Sequence, residues 1–337
     1  MLTFLAKRLA WGALVLLLVA VITFFLSRVV PADPAAFLAG QNASEATVQR
    51  IRAEHGLDRP LADQFVAYMG GLAKGDFGDS IRTRRSVGAD LAQYLPATLE
   101  LLLVSFVVYL AASFSLAVTA AKRPGGWLDG SIRLLTMIGT GIPVFWLGMT
   151  LQFVFFYKLQ WLPLGARFPI RDTAPPVVTG LMLVDSLLAG SLSAFVGSLK
   201  HMALPALTIV VNLLAVGTRM SRAALIQEQG RLYVRTARGK GLGPRPILYK
   251  HMLRNALSPI LTATTMQFGY MISWVILVEV IFDWPGIGLY AYQSFQVFDY
   301  SPVIALAIVS TAGFVFINLL MDILYPIIDP RVQRVGS

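Results

Sequence analysis

No cysteine occurs among the 337 residues, which removes disulfides, thiolate metal sites and cysteine nucleophiles together. Histidine is scarce: His55, His201 and His251 stand far apart, and no zincin helix, serine nucleophile elbow or Walker-type phosphate loop accompanies them. The chain is therefore expected to be no enzyme, to bind no metal or cofactor, and to hydrolyse no ATP itself. Charged residues make up only 14%, well below the roughly 25% of soluble proteins. They are also lopsided, with 28 Lys and Arg against 18 Asp and Glu. In a soluble chain a net charge of +10 would suggest nucleic acid. Here the basic residues sit beside apolar runs, where they act as topology signals and anionic-lipid contacts, and nucleic acid is not among the expected partners.

What is abundant is apolar surface. With 56% hydrophobic residues and a mean hydropathy of +0.67, the chain carries far more than one soluble core of this length needs, and an all-α integral membrane protein follows. A bilayer core takes about 20 apolar residues per helix. Such runs occur at Leu9–Val30, Pro96–Ala121, Ile132–Gln160, Met202–Leu225, Pro259–Phe282 and Val303–Pro326. The first is longer than a signal-peptide core and ends at PADP (Pro31–Pro34), so it reads as an uncleaved anchor. Six spans put both termini on one side. Counted from a cytoplasmic N-terminus, Lys7, Arg8, Lys122, Arg123, Arg331, Arg334 and a long basic loop all share the cytoplasmic face.

One further segment, Val177–Leu199, is largely apolar with Asp185 its only charge. As a seventh span it would turn the basic loop outward, against the strongest orientation signal in the chain. It is placed outside or re-entrant, as an amphipathic helix near the outer surface. Between the first two spans, Ser44–Gly56 has Ser44 as a candidate N-cap and Gly56 as a stop. Leu61, Phe65, Tyr68 and Leu72 then recur near helical spacing, opened by Pro60 and closed around Gly70–Gly71. The organisation expected is an N-terminal segment and first span (1–30), a helical outer cap (31–95) and a core membrane domain (96–337). That core includes the basic loop 226–258. Glu100, Lys158, Glu279 and Asp322 fall near predicted span ends, where they can be hydrated or paired.

The basic loop holds Arg222, Arg231, Arg235, Arg238, Lys240, Arg245, Lys250 and Arg254 around YVRTARGKGL (Tyr233–Leu242). Arg231–Lys240 reads as a short helix, Gly241–Pro244 breaks it, and Pro246–Asn255 resumes it as a second one. Ten residues at 1.5 Å each make a rod of about 15 Å. Gly239, Gly241 and Gly243 permit tight turns and close approach of another chain. On the residues alone two readings stand: a handle for a soluble partner, or a loop whose arginines obey the positive-inside rule and touch anionic lipid.

YVRTARGKGL followed by HMLRNALSP (His251–Pro259) resembles the signature loop of permease subunits in the dipeptide/oligopeptide/nickel family of bacterial ABC importers. The general importer pattern is E-A-A, three residues, Gly, nine residues, then I-x-L-P. Against it only Ala237, Gly241 and Leu253 match, with Arg235, Thr236, His251 and Arg254 at the departing positions. The peptide subclass pattern Y-V-R-T-A-R-A-K-G-L fits far better, with Gly239 in place of Ala and Leu232 where an acid is common. LSRVVPADPA (Leu26–Ala35), HGLDRPL (His55–Leu61), GDFGDS (Gly75–Ser80), LPATLEL (Leu95–Leu101), IPVFWLG (Ile142–Gly148), VEVIFDWPGIG (Val278–Gly288), DYSPV (Asp299–Val303) and DILYPIIDPR (Asp322–Arg331) resemble the family in the same order. They point to the first of two paralogous permeases.

The resemblance implies about six spans of the type I ABC importer kind in a bacterial cytoplasmic (inner) membrane. It implies a heterodimer with a second, paralogous permease, two ABC ATPase subunits that carry ATP and Mg, and an outer substrate-binding protein. Tyr233–Pro244 would be the coupling helix seated on one ATPase. Arg235, Arg238 and Lys240 would pair with acids at the groove rim, while Ala237, Gly241 and Leu242 supply close packing. The cap and Trp284–Pro302 would meet the binding protein. Cargo would be dipeptides or oligopeptides, with nickel chelates, glutathione or another small solute as the alternative. A channel or secondary transporter independent of ATPases is the reading from another class, and would call for internal repeats or paired intramembrane charges, neither of which is evident. The topology predicts that an Arg238→Cys thiol, alone in a cysteine-free chain, is labelled by an impermeant reagent only from the cytoplasmic side. Labelling from outside would restore the seventh span.

Overall fold

The computed structural model describes residues 2–29, 35, 43–54, 58–169 and 172–328. Pro31–Pro34, His55–Leu57, Arg331 and Arg334 lie outside them, and so do the parts of the LSRVVPADPA, HGLDRPL and DILYPIIDPR segments that they belong to. Among the described residues the regular secondary structure is helical, apart from one isolated bridge between Asp79 and Ser86. In order the helices are α1 (Leu2–Val29), α2 (Glu45–Glu54), α3 (Leu61–Ala73), α4 (Val87–Lys122), α5 (Trp127–Gly141) and α6 (Val144–Leu151), the last running on into a π-helical stretch, Gln152–Lys158. Then come α7 (Met182–Leu188), α8 (Leu192–Gln229), α9 (Leu232–Gly239), α10 (Pro244–Ile281), α11 (Ile287–Gln296) and α12 (Tyr300–Ile328). Five are long and apolar enough to cross a membrane (in α1, α4, α8, α10 and α12), and the bent pair α5–α6 makes up to six.

Two compact units emerge. One takes Met1–Leu95 with Ile287–Phe316, the other Pro96–Gly286 with Ile317–Ser337. In the first, the expected cap helices are present. Ser44 Oγ accepts the Thr47 N–H (3.2 Å) at the start of α2, and α3 follows Pro60 directly. The cap rests on α1 through Phe24, which meets Phe65 edge-on at 5.2 Å, and through Thr23, whose hydroxyl lies 3.1 Å from that of Tyr68. Val87 and Leu91 of α4 bury against Ile287 and Ala305. Beside them Tyr94 stacks on Tyr290 at 4.9 Å. Asp90 accepts from the hydroxyls of Thr83 (2.5 Å) and Tyr290 (2.8 Å), and Asp299 from the Ser80 hydroxyl (2.6 Å) and the Arg82 N–H (3.1 Å). Burial first, and the Asp90 carboxylate second, push the Tyr290 phenol above its ordinary pKa.

The second unit is built on α8, against which α5, α6, α7 and α10 all pack. Its core joins Leu101 and Tyr109 of α4, Leu204, Ile209 and Leu213 of α8, and Met271, Val275 and Val278 of α10. Buried carboxylates anchor both ends. Near one end Glu100 accepts two bonds from Arg167 (3.0 and 2.6 Å) and one from the Leu183 N–H (2.6 Å), while Arg167 also donates to the Gly180 carbonyl (2.7 Å). Asp185 accepts from the backbone of Val178, Thr179 and Gly180. Burial alone would raise its pKa, but these bonds and the Thr179 hydroxyl outweigh it and hold the carboxyl below the usual range. Near the other end Arg222 grips Asp129 through Nε and Nη2 (2.5 and 2.6 Å), and Gln229 donates to the Ala121 carbonyl (2.6 Å).

Three expectations change. The run Ile132–Gln160 is not one straight span, because α5 and α6 meet at 103°. Ile142 precedes Pro143 and is extended (φ −84°, ψ 127°), as residues before proline prefer. The carbonyl freed there accepts from Asn212 Nδ2 (3.0 Å). Val177–Leu199 is not one amphipathic helix either. Gly190, at φ +65°, ends the seven-residue α7 region, and Ser191 caps a new start by accepting the Ala194 N–H (3.3 Å), so Leu192–Leu199 are the first turns of α8. The segment resuming at Pro246 is no separate short helix: it passes through a π-helical stretch, Ile247–Met252, into the α-helix Leu253–Ile281. Glu100 is 4% exposed and paired with Arg167 at 2.6 Å. Arg167→Ala is expected to cost about 3–5 kcal/mol, read as a lower Tm in detergent, and adding Glu100→Gln should recover most of it.

Candidate docking site for a soluble partner

The loop between α8 and α10 is organised around the amphipathic α9. Val234 and Ala237, three apart on one face, are buried with Ile247 and Met252, and Tyr233 and Leu248 pack on that cluster. The Tyr233 hydroxyl donates to the Glu228 carboxylate at the end of α8, and Arg231 lies 3.7 Å from the same group. Burial, then Glu228, push the Tyr233 phenol up to about 12, so it stays a neutral donor across the physiological range. Leu248 also packs on a second cluster of Ala117, Ala121, Ala224, Leu225 and Ala256, from α4, α8 and α10. A push on α9 therefore reaches three membrane helices through side-chain contact.

α9 ends in a Schellman turn. The Leu242 N–H donates to the Ala237 carbonyl (3.2 Å) and the Gly241 N–H to that of Arg238 (2.9 Å), with Gly241 at φ +79°. A Cβ on Gly241 would meet no atom within 4 Å, so the glycine is demanded by backbone conformation and not by space.

The residues expected to touch a partner divide accordingly. Arg235, Thr236, Arg238, Gly239, Lys240, Gly241, Leu242 and Pro244 are exposed, and among the described residues no ion pair involves Arg235, Arg238 or Lys240. Ala237 turns inward and Tyr233 is half-buried, so both position the helix from beneath. Leu232, a departure from the family pattern, is 77% exposed and adds an apolar point to the outer face. Sequence reasoning misses Glu228. Its signal is an acid five residues before Tyr233, visible only once α8 and α9 are placed in contact.

Other segments of the resemblance meet as well. Thr98 of LPATLEL donates to Glu279 of VEVIFDWPGIG (2.5 Å), and Trp284 Nε1 donates to the Ala97 carbonyl (2.9 Å). Gly286 is required by space, since a Cβ there would come within 2.1 Å of Glu279 Oε1. GDFGDS and DYSPV are joined by the Ser80–Asp299 bond.

Gly241→Val is expected to strain this turn by about 1–2 kcal/mol, and Gly241→Asn by much less. Amide hydrogen exchange at Leu242 would show it as faster exchange in the Val variant alone.

Comparison with known proteins shows the family. Residues 113–334 match the family described as "Binding-protein-dependent transport system inner membrane component", and residues 1–102 match its N-terminal family. A probable D,D-dipeptide transport system permease protein of Escherichia coli is 39% identical over 98% of each chain. A di/tripeptide transport system permease protein of Pseudomonas aeruginosa is 36% identical over 99% of each chain, and a dipeptide transport system permease protein of Alkalihalophilus pseudofirmus is 34% identical over 99% of this chain and 100% of its own. The chain belongs to the family of inner membrane components of binding-protein-dependent transport systems, as a multi-pass permease of the ABC importer kind in a bacterial inner membrane.

Proposed function

We propose that this chain is one of two paralogous permease subunits of an ATP-driven importer for dipeptides and oligopeptides, docked on an ABC ATPase through Tyr233–Pro244. The observation that carries the reading is end-to-end similarity to permeases named for dipeptide and di/tripeptide transport. The loop supports it independently: an exposed basic helix is anchored from beneath to the ends of α4, α8 and α10. A lipid contact needs charge but no such mechanical linkage.

In this reading both termini and α9 face the cytoplasm. Two ATPase subunits hold ATP and Mg and perform all hydrolysis, while this chain binds neither. An outer binding protein delivers peptide to the cap and to Trp284–Pro302. Closure of the ATPases moves α9, and the shift passes through Leu248 to the membrane helices as alternating access. Arg235, Arg238 and Lys240 meet acids on the ATPase, with Gly239, Gly241 and Leu242 allowing close approach and Thr236 and Pro244 at the edge.

Copurification of the chain with a second permease and two nucleotide-binding subunits tests the assembly. Arg238→Glu with Arg235→Glu should leave membrane insertion intact and cut peptide-stimulated ATP turnover by about tenfold or more, as reversing rim charges costs several kcal/mol. Unchanged stimulation would overturn the docking assignment.

A further inference from the structure

The uncovered side of α10 mixes hydroxyl-bearing and apolar side chains between Thr262 and Leu277. Its buried face carries Ala263, Gln267, Phe268, Met271, Val275 and Val278. On the opposite face Thr262, Met266, Tyr270, Ser273 and Leu277 are exposed, at spacings of four, four, three and four. Met266 and Tyr270 are 57% and 56% exposed. The fifteen steps from Thr262 to Leu277 cover roughly 22 Å, most of a hydrocarbon layer about 30 Å thick.

α4 provides the contrast. Between Leu99 and Leu110 its exposed side includes Leu99, Leu103, Val107 and Leu110, which suits acyl chains, and hydroxyls (Ser115, Thr119) are exposed only further along. α10 is the least apolar of the five candidate spans, and unlike α8 it is not the one most covered by this chain. A phenol and a serine hydroxyl held outward at membrane depth are costly against lipid and cheap against water or a polar solute. α10 is also the span continuous with the docking loop, through the π-helical stretch Ile247–Met252.

We propose that the Thr262–Met266–Tyr270–Ser273–Leu277 face of α10 lines the hydrated path of the assembled transporter. Its cargo is a flexible polar solute with a peptide-like backbone. The Tyr270 and Ser273 hydroxyls offer hydrogen bonds to amide or terminal groups, and Met266 and Leu277 give sequence-tolerant apolar contact. The cargo part of this inference rests on the function proposed above, whereas the hydration part does not.

The absence of native cysteine makes the test direct. Single variants Met266→Cys, Tyr270→Cys and Ser273→Cys, with Leu103→Cys and Val107→Cys for comparison, are placed in the full complex. Each is treated with 2-sulfonatoethyl methanethiosulfonate with and without ATP. Only the thiolate reacts, and an apolar setting keeps the thiol protonated, so a lipid-facing cysteine reacts far more slowly than a hydrated one. At least two of the three α10 positions should react about tenfold or more faster than both α4 positions in one of the two states. Equal, slow reaction at α10 and α4 overturns the proposal, and assigns the face to lipid or to a second subunit. Slowing of the α10 reactions by a mixed dipeptide pool with the binding protein supports the cargo class. Fast reaction with no slowing keeps the hydrated path and overturns the peptide cargo.

Discussion

Within hydrocarbon no water is available to a backbone N–H or C=O, and each unsatisfied group costs several kcal/mol. This requirement makes the membrane-crossing segments helical and decides where helices can break. At Pro143 the ladder is interrupted, and the break is repaired by Asn212 of α8 donating to the Ile142 carbonyl while Thr140 donates to the Asn212 carbonyl (3.1 Å). α8 thereby becomes the reference helix of its unit, because α5 and α6 cannot bend there without it. Pro205 and Pro259 lie inside long helices under the same demand.

At the helix ends the same demand is met by buried carboxylates. Glu100, Asp129 and Asp185 each accept from backbone donors as well as from side chains, so one group satisfies several orphaned partners where the chain turns. Such groups specify geometry more than they add stability, since pairing must first repay the loss of hydration. Their effect is to hold turns that would otherwise fray against solvent. The proposed docking role needs that rigidity, because a push on α9 would be useful only if α4, α8 and α10 moved together.

The docking loop is legible from sequence to an unusual degree. Its helix, its break at Gly241 and its exposed arginines follow from local chemistry: helix formers, a residue able to take positive φ, and charges that lipid and core both reject. Ala237 is legible as a motif position but not in its direction, because turning inward depends on Ile247 and Met252, which lie across the loop. The roles of Glu228 and Leu232 escape a sequence reading for the same reason. The span count is legible from hydropathy, while the 103° bend and the division of Val177–Leu199 between α7 and α8 are not, since windowed hydropathy averages over a single Pro143 or Gly190.

By itself the sequence determined that this is a helical membrane protein, where its apolar runs lie and which loop carries the charge. Those properties are sums over neighbouring residues, and local composition suffices for them. Only the tertiary structure decided which carboxylate meets which arginine, which side of α10 stays uncovered, and how α9 is tied to α4, α8 and α10. Those depend on contacts between residues such as Glu100 and Arg167, or Thr98 and Glu279, that are remote in the chain and adjacent only once the helices pack.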